Sequence, residues 1–393
     1  MAGKGSFCFT TIRAPSAYCL SIMSNSFKPT VLVAPNAFKD SLTAPQICDY
    51  FNSLLSGRYR VISLPAGDGG DGTAEIIASY FPLPRPVYFP AVDALERPVR
   101  GTYYRSGKTA IIELAGICGL KTLKIQEYDV LNANTTGVGK AVNHAVTNGV
   151  NEILLCVGGS ASIDGGLGAL TEMGLKITKS HDKYRNHIID LKQIDPSDLK
   201  VKFKDVKFTI LCDVENPLYG KTGAAYVFAP QKGASPQQVI QLDTYLKRYA
   251  SLLTGYSNAA VAGLKYGGAA GGITTAFAVF LGARLISGSE YYLQVSGFEK
   301  HLRESHVVIT GEGRIDRQSL YGKIPGVIAD KCRQRHIPVI AVAGISEPGA
   351  EIFDRIFRLI DYAPCLQASI QQAQCYFPAL CRDVKKYLDT LFR

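Results

Sequence analysis

Ile153-Leu154-Leu155-Cys156-Val157-Gly158-Gly159-Ser160-Ala161-Ser162-Ile163-Asp164-Gly165-Gly166 is the stretch on which the reading of this chain turns, together with Leu167-Gly168-Ala169-Leu170-Thr171-Glu172-Met173 after it. An apolar run enters a glycine-rich turn that carries one carboxylate, and a segment of helical composition follows. That order is buried strand, tight turn, helix start. Glycines let a backbone approach a ligand closely, and the free N–H groups of a helix start attract anions. Asp164 sits among these glycines. A carboxylate there can hold a cation, accept a proton or simply cap the helix.

The same order recurs on either side. Residues 30–34 read as a short buried strand, followed by the polar loop Pro35-Asn36-Ala37-Phe38-Lys39-Asp40-Ser41-Leu42. Thr43, Pro45 and Gln46 then form the signature of a capped helix start. The stripe Ile47, Tyr50, Phe51, Leu54, Leu55 has helical spacing. A second strand, 59–64, runs into Gly67-Asp68-Gly69-Gly70-Asp71-Gly72, with a helix at 74–80. Strand–loop–helix repeated in this way predicts a parallel sheet with its ligands at the carboxyl ends of the strands.

The proline-rich residues 82–98 read as a crossing into another domain, and 99–104, 109–114, 207–212 and 224–229 as strands. Thr135-Thr136-Gly137 opens one helix, Ser235 and Gln238 cap another, and residues 179–204 read as an exposed excursion. Gly267-Gly268-Ala269-Ala270-Gly271-Gly272 precedes a small-residue helix. Strand 306–310 enters the loop Gly311-Glu312-Gly313-Arg314-Ile315-Asp316, with Gly322-Lys323 and a helix beyond it. A further buried strand at 338–342 and a long helix close the chain.

The chain has 393 residues, enough for two domains. It is 47% hydrophobic and 19% charged, the balance of an ordinary globular protein. The 38 glycines cluster after apolar runs, which favours ligand sites built from backbone over disorder. The net charge of +10 has no concentrated basic–aromatic stripe behind it. Lys200-Val201-Lys202-Phe203-Lys204-Asp205-Val206-Lys207 alternates like an exposed strand, so nucleic acid is not the expected partner. A positive field suits an anionic small molecule equally well.

The ten cysteines contain no C-x-x-C pair and no zinc spacing. Cys156 and Cys212 lie inside apolar runs as small core residues, a reduced, cytoplasmic pattern. No apolar run has the length of a membrane span. Residues 1–27, with Lys4, Arg13 and several Ser and Thr but no acid, have transit-peptide composition. Met23, just ahead of the first strand, is the simpler start, so 1–27 reads as a disordered or mis-started extension.

Several glycine loops that bring carboxylates or cations point to phosphate chemistry. Cradling phosphates takes backbone N–H donors, and phosphoryl transfer takes cations, carboxylates for Mg²⁺ and a base for the acceptor hydroxyl. The carboxylates available are Asp68, Asp71, Asp164, Asp213, Glu312 and Asp316, and the cations Lys39, Lys232, Arg314 and Lys323. Standard motifs fail. Gly220-Lys221-Thr222 ends like a P-loop, but its earlier glycine position is Glu215, and Gly311-Glu312-Gly313 lacks the third glycine of a dinucleotide fingerprint. His144 and His306 read as packed residues. A kinase, a Mg²⁺-dependent phosphatase or other hydrolase, and a non-catalytic phosphometabolite-binding protein all remain compatible with these residues.

Seven ordered motifs carry a family resemblance. They are 34–42, Asp68-Gly69-Gly70-Asp71-Gly72-Thr73, 158–166, Cys212-Asp213-Val214-Glu215-Asn216-Pro217-Leu218, Gln231-Lys232-Gly233-Ala234, 267–272 and 309–316. From about residue 30 onward the chain resembles the glycerate kinase type 1 family. Its departures are small: the family often has Asp-Ser at Asn36-Ala37, Gly at Asp40, Glu at Asp71 and Asn at Ile163. The resemblance implies ATP- and Mg²⁺-dependent phosphorylation of D-glycerate at the 2-hydroxyl, by a cytoplasmic monomer or homodimer. It also implies a discontinuous Rossmann-like α/β domain, residues 28–95 and 290–393, with a second α/β domain, 96–289, inserted and the site in the interdomain cleft.

On this reading Asp316, Asp164 and Lys39 are the candidates for the chemistry, with Asp164 facing Asp68 and Asp316 across the cleft. Arg314, Lys323, Asp68 and Ser41 are the candidates for glycerate. Gly158, Gly159, Ser160, Gly165, Gly271 and Gly272 are candidates for the nucleotide, and Asp68 and Glu312 for Mg²⁺.

Overall fold

In the computed structural model, which describes residues 28–70, 72–212, 214–256, 261–316, 322–347 and 351–393, strand β1 (Thr30–Pro35) leads through a polar loop to the helix Ala44–Leu55. The Thr43 hydroxyl accepts the Gln46 N–H, and the Gln46 side chain accepts the Thr43 N–H, so the capping box forms as its sequence demands. After β2 (Arg60–Ser63) and the helix Thr73–Ser79 the chain departs into a long insert. The insert holds β3 (Arg85–Val92), β4 (Pro98–Ser106), β5 (Thr109–Glu113) and β6 (Glu152–Cys156). It continues with β7 (Lys176–Lys179), β8 (Leu191–Asp195), β9 (Lys207–Cys212) and β10 (Arg284–Ser287). The chain then returns with β11 (Val307–Ile315), β12 (Val339–Ser346) and β13 (Arg355–Arg358). The expected N-terminal extension, 1–27, lies outside the described residues.

The first sheet has the order β13-β12-β11-β1-β2 and is parallel throughout. The second has the order β10-β9-β6-β5-β4-β3, parallel from β10 to β5 and antiparallel beyond. The fold is therefore α/β: a parallel sheet built from both ends of the chain, with a second α/β unit inserted between β2 and β11.

Helices cover both faces of the first sheet, as parallel strands require. One face packs Val31, Val33, Val307, Ile309 and Val342 against Phe51 and Phe377 of the helices Ala44–Leu55 and Ala373–Leu391. The other face shares its core with the second sheet. Leu32 and Val308 join Ile77, Tyr292 and Phe298, and on the far side Ile111, Leu154, Cys156 and Leu211. Alternate residues of the same strands, such as Ile112, Leu155 and Ile210, point into the insert's own core. Cys156 and Cys212 are buried as read, and burial pushes the Cys156 thiol well up.

Four local readings are corrected. The proline-rich crossing contains β3, an edge strand, where Pro86 and Pro90 cost no central ladder bond. Residues 224–228 form a helix, not a strand, because these small and aromatic residues pack in the insert's core between other helices. Lys200 and Lys202 end the helix Ser197–Lys202 and do not alternate along a strand. Glu312, Gly313 and Arg314 belong to β11, which stays paired with β12 as far as Ile315. Among the described residues no helix is long and apolar enough to cross a membrane.

Candidate active site

From β1 the chain steps one way to β2, and from β11 it steps the other way to β12 and β13. The reversal opens a crevice at the carboxyl ends of β1 and β11, the usual ligand position in such sheets. At the end of β1 the Asn36 N–H donates to Gly311 O at 2.7 Å. Asn36 Oδ1 accepts the Ala37 N–H at 2.8 Å, which turns its Nδ2 to donate to Asp68 Oδ2 at 2.9 Å. Asp68 Oδ1 accepts the Gly70 N–H at 3.2 Å. Asp68 thus joins the loops after β1 and β2.

Gly313 lies against the same loop: a Cβ there would sit 3.2 Å from the Lys39 backbone nitrogen. Glu312 is buried, with Lys323 Nζ 3.9 Å from its Oε2. Lys323 stands at the N-cap position of the helix Ile324–Gln334. Arg314 pairs with Glu347 and, at 3.6 Å, with Asp316. Lys39 is exposed, and among the described residues the buried Ser41 Oγ has no hydrogen-bond partner. The expected Asp68, Glu312, Asp316, Lys39, Ser41, Arg314 and Lys323 are all carried by the ends of β1, β2 and β11 or the segments just past them. Asp71 and Asp213 lie outside the described residues. His144 stacks on Phe89 and is half-buried, as read; His306 accepts the Thr30 N–H but is exposed, which corrects its reading as a packed residue.

The second sheet's edge is built differently. The Gly158 N–H donates to Gly69 O at 2.9 Å, and a Cβ on Gly158 would sit 2.6 Å from Gly70 Cα. Only glycines allow the two edges to touch this closely. Asp164, expected across the cleft from Asp68 and Asp316, has its carboxylate occupied by donors of the insert. It is wholly buried in the insert. Its Oδ2 accepts the Thr135 N–H, the Thr135 hydroxyl and the Gly168 N–H at 2.9, 2.7 and 3.2 Å. Its Oδ1 accepts the Ser162 hydroxyl and the Gly166 N–H at 2.9 and 3.3 Å. These donors leave it a capping and bracing carboxylate, the blander of the two readings of the sequence.

Gly165, Gly271 and Gly272, expected at the nucleotide, are buried against protein. All three have positive φ, and the Gly165 N–H donates to Gly271 O. A Cβ would meet Tyr249 at Gly165, Ser162 O at Gly271 and Leu218 at Gly272, at 2.7, 2.4 and 2.5 Å. Of the expected nucleotide loop only Gly159 is exposed and Gly158 half-buried, with Ser160 directly beneath.

Two charged groups were not assigned a role from sequence. Lys232, on the turn Pro230–Lys232, is 3% exposed; its ammonium donates to Ser160 Oγ and to Ser162 O, each at 2.7 Å. Burial pulls its pKa down to about 7, against a smaller upward pull from Asp164. In the sequence it stood only among the available cations and within the motif Gln231-Lys232-Gly233-Ala234. Glu113, at the end of β5, accepts the Ala74 N–H and so caps the helix Thr73–Ser79 from the other sheet. Burial raises its pKa, while Lys121 opposes the shift.

Among the described residues no group of three or more His, Cys, Asp or Glu could hold a metal ion. The donors therefore do not form a protein cage. They do suit Mg²⁺, which commonly takes one or two carboxylates and leaves the remaining positions to phosphates and water; Asp68 and Glu312 are oxygen donors of that kind. A depression of about 650 Å³ on the insert, lined among others by Tyr128, Tyr184, Gly233 and Gln238, contains none of the expected site residues.

The model of the glycerate kinase family matches residues 31–389. The chain belongs to the glycerate kinase family. It is thereby an enzyme, a phosphotransferase. A glycerate kinase of Halalkalibacterium halodurans is 34% identical over 371 residues, 90% of this chain and 97% of that protein. The glycerate 2-kinase of Escherichia coli is 35% identical over 324 residues, covering 80% and 84%. A crystal structure of a glycerate kinase 2 from Salmonella typhimurium superposes with a TM-score of 0.77 at 31% identity. It covers 93% of this chain and 99% of that one.

Proposed function

We propose that this member of the glycerate kinase family transfers the γ-phosphoryl group of ATP to the 2-hydroxyl of D-glycerate, giving 2-phosphoglycerate and ADP. The site is the region where the edge of the first sheet meets the turn 158–160 of the insert. The observation that carries the reading is the set of charged groups at the sheet's reversal point, in a chain whose relatives are glycerate kinases. Lys323, at the start of the helix Ile324–Gln334, and Arg314 hold the substrate carboxylate. Asp316 takes the proton of the acceptor hydroxyl as the new P–O bond forms. Asp68, whose two oxygens are oriented by Asn36 and Gly70, holds the cation with Glu312. Lys39 and Ser41 lie on the loop that closes over β11. Mg²⁺, when bound, offsets charge on the transferring phosphates. The protein acts in the cytoplasm on a small molecule, as a monomer or homodimer.

Phosphorus NMR of the full chain incubated with ATP, Mg²⁺ and D-glycerate tests the reading. The expected products are 2-phosphoglycerate and ADP in equal amounts. The 3-phospho isomer would overturn the regiochemistry. ATP without any phosphorylated glycerate would overturn the activity.

A further inference from the structure

Lys232 is a lysine with two acceptors and three donors. Its ammonium gives one N–H to Ser160 Oγ and one to Ser162 O, and among the described residues it forms no ion pair. An ammonium carries three N–H groups, so one is unspent. Ser160 Oγ accepts from Lys232, and its own hydroxyl proton is given to no described group. Two donors are thus left over beneath the turn that exposes Gly159 and half-exposes Gly158. A buried donor without an acceptor is costly, and an anion seated on this turn supplies the missing oxygens.

We propose that Lys232 and Ser160 form an anion-dependent proton pair: a nucleotide phosphate arriving on Gly158–Gly159–Ser160 holds Lys232 as ammonium and Ser160 as an outward donor, so that nucleotide binding takes up a proton. The inference rests on the proposed kinase reading and adds to it the residue that senses the phosphate.

The hydrogen-bond polarity gives the mechanism. With Lys232 charged, Nζ–H donates to Ser160 Oγ, and the serine proton must point away from it. With Lys232 neutral, two N–H groups and one lone pair remain. Ser162 O can only accept, so it keeps an N–H, while the Ser160 hydroxyl can turn inward and donate to the lone pair. The loop then loses its outward donor. Charge is conserved on binding: one proton moves from solvent to Nζ, and no covalent bond changes. Asp164 and the other ionisable groups in its field do not compensate the pair. Asp164 is the nearby anion and already accepts from Ser162 and Thr135. Tyr249, on the helix Pro236–Leu253, and Cys118, on the helix Ala115–Cys118, are held neutral because burial raises both. Burial also lowers His187, which keeps that ring neutral. The resting pKa near 7 means that the free protein is part-charged at neutral pH and is poised to respond.

Calorimetric titration with ADP and Mg²⁺, in buffers of different ionisation enthalpy between pH 7.0 and 8.5, tests the pair. This range lies above the second ionisation of phosphate, near 6. The wild-type chain is expected to take up a fraction of a proton, with affinity falling by up to about tenfold per pH unit. Lys232→Met, close in shape, should bind ADP about tenfold or more weakly at pH 7 and take up no proton. A folded Lys232→Met protein with wild-type uptake and pH slope overturns the proposal. If that variant does not fold, Ser160→Ala decides: ADP affinity should fall about 3–10-fold at pH 7, and unchanged binding overturns the pair. Proton uptake on addition of D-glycerate and not ADP would give the seat to the acceptor and overturn the nucleotide assignment. If ADP and ATP do not bind the wild type at all, the kinase reading itself fails, an outcome distinct from all of these.

Discussion

The two sheet edges carry the same sequence signature and use it in opposite ways. At the first edge, glycines lie beside polar and charged side chains that pair with one another: Asn36 with Asp68, Lys323 with Glu312, Arg314 with Asp316. At the second edge, Gly165, Gly166, Gly271 and Gly272 are all at positive φ and their Cβ positions are filled by neighbouring atoms. The first edge also lies at a reversal of strand order, while from β5 through β6 and β9 to β10 the second sheet steps in one direction only. Topology opens a crevice in the first case and none in the second. A glycine-rich loop after a strand therefore indicates close approach, and whether a ligand or the protein's own backbone makes that approach is a separate matter.

The largest expected effect tests the packed edge. Gly271→Val places a β-branched side chain at φ +72°, with its Cβ 2.4 Å from Ser162 O. It should cost about 4 kcal/mol or more and leave little folded protein, as overpacking and strain combine. Gly159→Ala, with exposed backbone and its nearest neighbour Ala115 Cβ at 3.2 Å, should cost only about 1 kcal/mol. Denaturant unfolding of both variants measures the contrast. Equal midpoints would remove the distinction, within the second edge, between the packed glycines and the exposed turn.

Next come the carboxylates. Asp68→Asn and Asp316→Asn should each lower kcat by about 10²–10⁴ while their folding midpoints hold. Asp164→Asn should do the reverse. It sets an amide N–H₂ among five donors and should cost about 1–3 kcal/mol of stability, with turnover per folded molecule little changed. Turnover lost from a fully stable Asp164→Asn protein would return that residue to the chemistry.

A smaller effect comes from pH. Lys232 has a folded-state pKa lowered to about 7 from its ordinary 10.5. Between those values the unfolded chain holds a proton that the folded chain does not, so stability rises with pH through that window. The rise is at most about 1.4 kcal/mol per pH unit. Lys232→Met should lack it. Urea midpoints of both proteins at pH 7 and pH 9 check the difference; parallel shifts would show that folding leaves the lysine's ionisation unchanged.

The smallest effect is at the first edge's rim. Arg314 is exposed and already spends its charge on Glu347 and Asp316. Lys323, half-buried at a helix start, has the stronger position. Lys323→Ala should raise the KM for glycerate by about tenfold or more, and Arg314→Ala by less. The reverse order in steady-state kinetics would exchange their roles.

Much of the fold was legible in the sequence because its signals are local. The caps at Thr43 and Ser235 need only residues within one turn, and both formed as read. The buried runs at β1, β6, β9 and β12 are strands because parallel sheets bury both faces, which leaves a continuous apolar record. The seven ordered motifs were sufficient for the family. Edge strand β3 was missed because its prolines mask it, and the helix Ala224–Phe228 was misread because short apolar runs carry no clear period.

At the site, the sequence by itself determined which residue types are present: glycines after strands, six carboxylates and four cations among them. Only the tertiary structure decided how they divide. Positive φ makes the same demand for glycine whether the space beside it holds a phosphate or Ser162 O, and the atom that fills that space comes from a distant part of the chain. Asp164 and Asp68 look alike in sequence, each a carboxylate among glycines. They differ because one lies in the insert's interior, with donors from Thr135, Ser162, Gly166 and Gly168 around it. The other stands where two strands diverge, with one amide and one N–H to orient it. Burial and the direction of donors are properties of the packed chain, and they separate a buried, fully engaged carboxylate from a half-buried one with two donors.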